Sequence, residues 1–297
     1  MSSVRTDSPT VIIIGDIAQD YTVEVDDQGS LDEKVKVVRS VRSLGGTAAN
    51  SASQVVALGG QAVLISSVGD DPTGFWLLQK AEEAGIGVSS VSQKNGLSTT
   101  ATIVLSASER TVYVDLGVAE DIEIDDWALL ESADLVYVSY APQLVEALIS
   151  RGVGPRLIVG LEQWMASPAV LKACESCLLV VTNEAGANAF NISELPAVVV
   201  TRGAAGVELR NRGVMVDFIP ATSVNTLDST GAGDSFAGAL CYSLAIGSNL
   251  AISLRFATTT AALSTLSRGA QAALPSLEQV TAKMAENGAN EVAANLV

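Results

Sequence analysis

The stretch DSTGAGDSFAGAL, residues 228–240, decides how this chain is read. Gly231, Ala232 and Gly233 stand directly before Asp234, and Phe236, Leu240 and Leu244 then recur with helical spacing. The segment reads as a turn opening a helix, with 231–234 in its first turn. Backbone N–H groups are unpaired there and the helix dipole is positive. The glycines thin the backbone, so that an anion can come close to those amides. An aspartate in the same turn can accept a proton from a hydroxyl lying against that anion. The pattern supplies an anion cradle beside a hydroxyl-activating carboxylate, although a plain helix cap would use the same residue types.

Outward from this turn, short β-branched runs recur: VIII (11–14), AVLI (62–65), LVYV (135–138), RLIVG (156–160), LLVVT (178–182) and AVVVT (197–201). Amphipathic helical patterns lie between several of them, as in 48–60 and 72–86, with glycine stops at Gly59, Gly60 and Gly85. Such alternation predicts a mostly parallel sheet covered by helices on both faces, a three-layer α/β/α core. Residues 20–26, 34–43, 99–105 and 110–116 instead alternate polar and apolar at period two. They predict antiparallel strands with one wet face, a small β lid formed by segments of about 17–44 and 97–116. Repeats and long linkers are missing, so residues 1–297 are expected to form one domain that carries the lid as an excursion.

Composition narrows the function. A net charge of −16 opposes nucleic acid and anionic membrane as the main partner, because both require a basic surface. With no histidine, imidazole catalysis and histidine-ligated metals are excluded. The apolar runs are too short for a signal peptide or a spanning helix, so a soluble cytoplasmic protein is expected. The three cysteines, Cys174, Cys177 and Cys241, suit a reducing compartment, and the C-x-x-C pair lacks the further ligands a zinc site needs. No G-x-x-x-x-G-K-[ST] string is present.

DSTGAGDSFAGAL resembles the C-terminal signature of the ribokinase-like (PfkB) carbohydrate kinases, and further strings match in the same order. They are G-D-x-x-x-D at Gly15, Asp16 and Asp20, LGGTAANSASQVVALGG (44–60), VGDDPTGF (68–75), TRGAAGV (201–207) and SRGAQAALP (267–275). The resemblance implies a ribokinase-like fold and transfer of the γ-phosphoryl group of ATP, with Mg²⁺, to a sugar hydroxyl. Asp234 would be the base, and Gly231, Ala232, Gly233 and the Asp234 amide the anion hole. Asp16, Asp20, Gly45, Gly46 and Asn50 would hold the sugar. Asn183, Thr201, Gly203, Gly206, Ala257 and Gly269 would form the nucleotide side. Asp228 and Thr230 match a monovalent cation site, for an ion such as K⁺, although Ala273 replaces the serine that often completes it.

Two departures bear on catalysis. The family's N-x-x-E reads NEAG at 183–186, so Gly186 stands in place of a glutamate; and GLEQW (160–164) stands where several relatives have an aspartate- and arginine-containing string, for which Glu162 is a candidate substitute. The expected acceptor is a primary hydroxyl of a pentose or ketohexose, such as ribose or fructose. A nucleoside is the alternative, for which Tyr21 and Tyr113 are the only lid aromatics. A catalytically weak sugar- or nucleotide-binding relative is the third reading. Edge strands on the lid also suggest a homodimer paired through it.

Overall fold

The computed structural model describes residues 8–27, 29–30, 32–106, 110–165, 167–272 and 274–287. The run at 11–14 becomes β1 (Thr10–Ile14), and the chain then leaves as the hairpin β2 (Ala18–Val25) and β3 (Val37–Gly45). It returns through α1 (Thr47–Ala57), β4 (Gln61–Gly69), α2 (Pro72–Glu83) and β5 (Gly87–Lys94). A second hairpin, β6 (Thr100–Leu105) and β7 (Arg110–Asp115), joins the first. Then come β8 (Leu135–Val138), α3 (Val145–Ser150), β9 (Leu157–Gly160), α4 (Pro168–Cys174), β10 (Leu179–Asn183), α5 (Glu184–Ala189) and β11 (Val198–Thr201). The antiparallel pair β12 (Gly206–Asn211) and β13 (Val214–Pro220) precedes three helices, α6 (Ala232–Ala245), α7 (Leu250–Ser264) and α8 (Leu277–Glu286).

The large sheet runs β13-β12-β11-β10-β9-β8-β1-β4-β5 and is parallel from β11 to β5. Its central strand shows why the layers form. Val11 and Ile13 enter a core shared with Leu77, Phe236, Leu254 and Val280, whereas Ile12 and Ile14 enter a second core with Leu130, Val145, Leu148 and Cys174. All four β1 side chains are fully buried, because strand alternation sends successive residues to opposite faces and helices cover both. Each such side chain contributes roughly 1.5–3 kcal/mol of burial.

The period-two segments form a separate four-stranded sheet, β3-β2-β6-β7. Both hairpins are antiparallel and β2 pairs with β6 in parallel. Register places Asp20, Ala101 and Val114 in one cross-strand row and Thr22, Ile103 and Val112 in the next. That face looks onto the carboxyl ends of β1 and β8. The cysteines of the C-x-x-C pair are buried in the second core, where Cys177 Sγ donates to the Cys174 carbonyl at 3.0 Å. Among the described residues, no group of three or more histidine, cysteine, aspartate or glutamate side chains could hold a metal ion, and no helix is long and apolar enough to cross a membrane.

Candidate functional site

Two cavities meet at the N-terminus of α6. The first, of about 390 Å³, lies under the small sheet and is lined by Asp16, Asp20, Gly46, Asn50, Gly231 and Asp234, with Arg110, Val112 and Val114 reaching in from β7. The second, of about 610 Å³, is lined by Thr201, Gly203 and Gly206, by residues of 221–229, by Ala232 and Gly233, and by one face of α7. The first turn of α6 is the wall between them.

On the first side, α1 fixes the acids. Gly46 caps α1 at φ +93°, a conformation that strains any residue with a Cβ. The exposed amides of Thr47 and Ala48 donate to the two Asp16 oxygens at 3.2 and 3.3 Å. Burial pushes the Asp16 carboxyl above its usual range, and those two amides oppose the rise. Asp20 is pushed up to about 6 by burial and by the charge of Asp16, while Arg110 draws it back. A Cβ on Gly45 would overlap the Asp20 carboxyl, so that glycine makes room for an acid.

Asn50, one helical turn into α1, donates from Nδ2 to Asp234 Oδ2 at 2.8 Å. Among the described residues the other Asp234 oxygen has no hydrogen-bond partner, in a cavity wall shared with Asp16 and Asp20. Burial pushes the Asp234 carboxyl up to about 8; the Asn50 bond pulls it down, and the charges of Asp16, Glu162 and Asp20 add to the rise. Such a carboxyl is a stronger base than a surface aspartate, and its ionised form gains population as pH rises through neutral toward about 8.

The two glycines of the turn differ in kind. Gly231 sits at φ +75°, and a Cβ there would stand 2.6 Å from that of Ala270, so the fold itself requires glycine. A Cβ on Gly233 would meet nothing within 4 Å, and Gly233 lines the second cavity. Packing places no demand on Gly233, so its bare backbone is open to close approach by a ligand. The amides also sort themselves. Ala232 N–H is taken by the Ser229 carbonyl at 3.2 Å, whereas among the described residues those of Gly231, Gly233 and Asp234 have no acceptor. Of the four amides expected to form an anion hole, that of Ala232 is thus already bonded and the other three have no acceptor among the described residues.

The second cavity lies over the β11–β12 turn, which is an antiparallel connection as well as a cavity wall. On α7 the lining face is Thr258, Ala261, Ala262 and Thr265. Ala257 is fully buried in the first core and lines neither cavity, a phase error of one helical position. The segment 222–226 is tied to α7 by hydroxyl pairs, Thr222 with Thr259 at 3.1 Å and Thr226 with Thr265 at 3.2 Å.

Asp228 does structural work between the cavities. Its Oδ1 accepts from the amide and hydroxyl of Thr230 at 2.9 and 2.7 Å, and its Oδ2 from the Gly269 amide at 2.9 Å. Burial pushes this carboxyl up, but those bonds hold it below the usual range. Gly269, at φ +91°, thereby anchors its loop and does not line the second cavity. Ala273 lies outside the described residues.

Asn183 caps α5, accepting from Gly186 N–H at 2.8 Å, and it lines neither cavity. Gly186 is buried so tightly that a Cβ would overlap Thr182 Oγ1 and stand 3.2 Å from the Phe190 ring. A glutamate there would have to displace the Thr182 hydroxyl, which donates to the Leu161 carbonyl at 2.7 Å. Glu184 is paired with Arg202, whereas Glu162 lies within 3.4 Å of Asn183 Nδ2 and raises Asp234, so its charge reaches the site. Three polar lining residues have no motif signal in the sequence: Thr99, Arg110 and Tyr140. Tyr140 follows β8 with φ +69°, a conformation disfavoured for a bulky residue and tolerated where surroundings over-determine it. Tyr21 and Tyr113 do not line the first cavity.

Comparisons with known proteins agree with this geometry. The family model "pfkB family carbohydrate kinase" matches residues 8–151 and 159–277. The chain is 27% identical over 286 residues to the ribokinase of Bacillus subtilis, covering 91% of this chain and 97% of that one. Its fold is similar to a ribokinase of Arabidopsis thaliana solved with ribose and ATP, at a TM-score of 0.77 and 21% identity over 94% of this chain and 99% of that one. It is likewise similar to the Burkholderia thailandensis nucleoside kinase solved with inosine, at 0.78 and 23%, covering 94% and 98%. With the motifs, the two cavities and the matched span in agreement, the chain belongs to the pfkB family of carbohydrate kinases.

Proposed function

We propose that the chain is an ATP-dependent sugar kinase that phosphorylates a hydroxyl, favouring the primary hydroxyl of a pentose or ketohexose such as ribose or fructose. The observation that carries this reading is the first turn of α6, which presents Asp234 to one cavity and Gly233 to the other. The sugar lies with Asp16, Asp20 and Asn50, its acceptor hydroxyl against Asp234. ATP enters the second cavity as its Mg²⁺ complex, adenine toward Ala261 and Ala262, phosphates toward the β11–β12 turn. The unpaired Gly231, Gly233 and Asp234 amides stabilise the charge on the transferring phosphoryl group. Asp234 takes the hydroxyl proton as the phosphorus–oxygen bond forms and ADP departs.

Mg²⁺ would be held largely by the phosphates and its own waters, and Glu162, within 3.4 Å of Asn183 Nδ2, would be the nearby carboxylate available to those waters in lieu of a side chain at 186. Asp228 and Thr230 already bond each other and the Gly269 loop, an arrangement a bound K⁺ would reinforce electrostatically. The lid excludes water from the activated phosphoryl group. Its cavity-side row leaves Val41, Val112 and Val114 at 42, 43 and 57% exposure, and a second copy of the lid is the apolar partner that fits them. Net charge and unpaired thiols fit a cytoplasmic setting.

A nucleoside remains the second acceptor class because Tyr140 offers one aromatic wall, without help from the lid tyrosines. The test is ADP release with Mg·ATP across pentoses, ketohexoses, aldohexoses and nucleosides. Turnover on a sugar class that collapses in Asp234→Asn supports the reading; turnover on nucleosides alone shifts the acceptor. Silence with retained binding leaves a sugar- or nucleotide-binding relative.

A further inference from the structure

Asn50 is held at both ends of its amide. Its Nδ2 donates to Asp234, and its Oδ1 accepts from Gln271 Nε2, each at 2.8 Å. Asn50 is buried, so either end would be costly to leave unpaired. Gln271 is itself fixed in space by the loop that carries it. Toward its N-terminal side the Gly269 amide is bonded to Asp228, and toward its C-terminal side the Pro275 carbonyl accepts from Gln54 of α1 at 3.0 Å. Between those two anchors, Ala270 packs against Gly231.

We propose that Gln271 is a positioning residue for the base: by donating to the Asn50 carbonyl it turns the Asn50 NH₂ edge toward Asp234 and so favours the carboxylate that accepts the substrate proton. This rests on the phosphotransfer reading of the site. An amide has one accepting and one donating edge. With Gln271 as donor, the Asn50 NH₂ reaches Asp234 Oδ2, which accepts it from either protonation state but more strongly as the carboxylate. With the chain reversed, the Asn50 carbonyl faces Asp234 Oδ2, an arrangement that suits only the protonated acid. The identity of residue 271 therefore biases the protonation state two side chains away. The charged groups acting on Asp234 are Asp16, Glu162 and Asp20, Tyr137 feels its charge, and Arg110 from the lid lines the same cavity; none of them depends on the Asn50 edge.

The inference also explains a geometric coincidence. The loop that bonds the Asp228 turn on one side is the loop that reaches α1 on the other, so residue 271 is set by the same segment that supports the anion hole. Asn50, read from the sequence as a sugar contact, then presents N–H toward the acceptor side. It would meet a lone pair of the substrate hydroxyl and leave that hydroxyl's proton for Asp234.

The test compares Gln271→Met, which removes the donor at similar length, and Gln271→Glu, which when ionised demands the Asn50 NH₂ for itself. The readouts are the pH profile of kcat/KM for the preferred acceptor, KM for ATP and Tm. Gln271→Met is expected to lower kcat/KM about fivefold to tenfold. Gln271→Glu is expected to lower it about a hundredfold and to move the acid limb up by about one pH unit. KM for ATP stays within about twofold in both. In an Asn50→Ala background the Met substitution should change nothing further. A lowered Tm with an unmoved acid limb, or a Gln271→Met loss that persists in full without the Asn50 amide, would overturn the proposal. Absence of turnover in the parent protein would overturn the kinase reading instead. In that case Asp234 ionisation is followed through the Tm difference between parent and Asp234→Asn as pH rises, which Gln271→Glu must shift upward and otherwise refutes the coupling.

Discussion

The two cavities that share the first turn of α6 are built by opposite means. The acceptor side is crowded with acids whose positions are set by fixed donors: the α1 amides hold Asp16, Asn50 holds Asp234, and Gln271 holds Asn50. The nucleotide side is wider and walled by small residues, Gly203, Gly206, Ala232, Gly233, Ala261 and Ala262. In the proposed reading, one side recognises by placing charge, the other by withholding side chains. The difference teaches that substitutions on the first should act through chemistry and pH, and on the second through size.

The largest expected effect breaks the comparison at its hinge. Asp234→Asn should lower kcat by about a thousandfold while acceptor KM changes by only a few-fold, because a positioned base contributes about 10²–10⁴. Single-turnover ADP release measures it; a loss below about tenfold would mean the carboxyl is not the base. Next, Gly233→Ala should raise KM for ATP by about ten- to a hundredfold with an unchanged Tm, since its Cβ enters open space that the phosphates require. Gly231→Ala should instead lower stability, by about 1–3 kcal/mol, from positive φ and overlap with Ala270. Equal thermal effects of the two alanines would erase the distinction between a glycine kept for the ligand and one kept for the fold.

A smaller effect sharpens the electrostatic half. The Asp234 carboxyl has an ordinary value of 3.8 and stands at about 8 in the folded chain, so the native state keeps a proton that the unfolded chain releases. Stability from this group is therefore full below about pH 4, declines as pH rises toward 8 and stays reduced above it. Asp234→Asn removes the decline, and its Tm advantage should grow between pH 5 and 8. Because the carboxyl is half-buried and meets solvent in the cavity, the gain is held to about 1–2 kcal/mol. Smallest of all, Asp20→Asn should weaken acceptor binding by about tenfold at neutral pH, with calorimetry as the check.

Much of the α6 turn was legible because its chemistry is local. A G-x-G-D string that opens an apolar helix carries its own geometry, and so does G-G before the capping turn of α1. The strands were legible for the same reason: β1 and β8 are nearly continuous buried runs. What was not legible depends on topology. Arg110 reaches the acceptor cavity only because β7 pairs in register with β6, Tyr140 only because β8 ends beside β1, and Gln271 only because its loop is pinned to α1 and Asp228. Ala257 was assigned to a wall that its neighbours form, since one residue on a helix turns the side chain by about 100°. Gly186 shows the converse. A missing glutamate reads as a lost function in the sequence, whereas in the fold the Thr182 hydroxyl and Phe190 ring fill the space and Glu162 brings a carboxylate to the adjoining strand end.

The most direct measurement of the central claim is the pH dependence of kcat/KM for the acceptor in the parent protein and in Asp234→Asn. If Asp234 is the base on the acceptor side of the shared turn, the parent profile rises with pH and levels off near about 8, and the variant retains only a low, flat residual rate. A variant that keeps the same rising limb would show that another group takes the proton, and would separate the turn of α6 from the chemistry assigned to it.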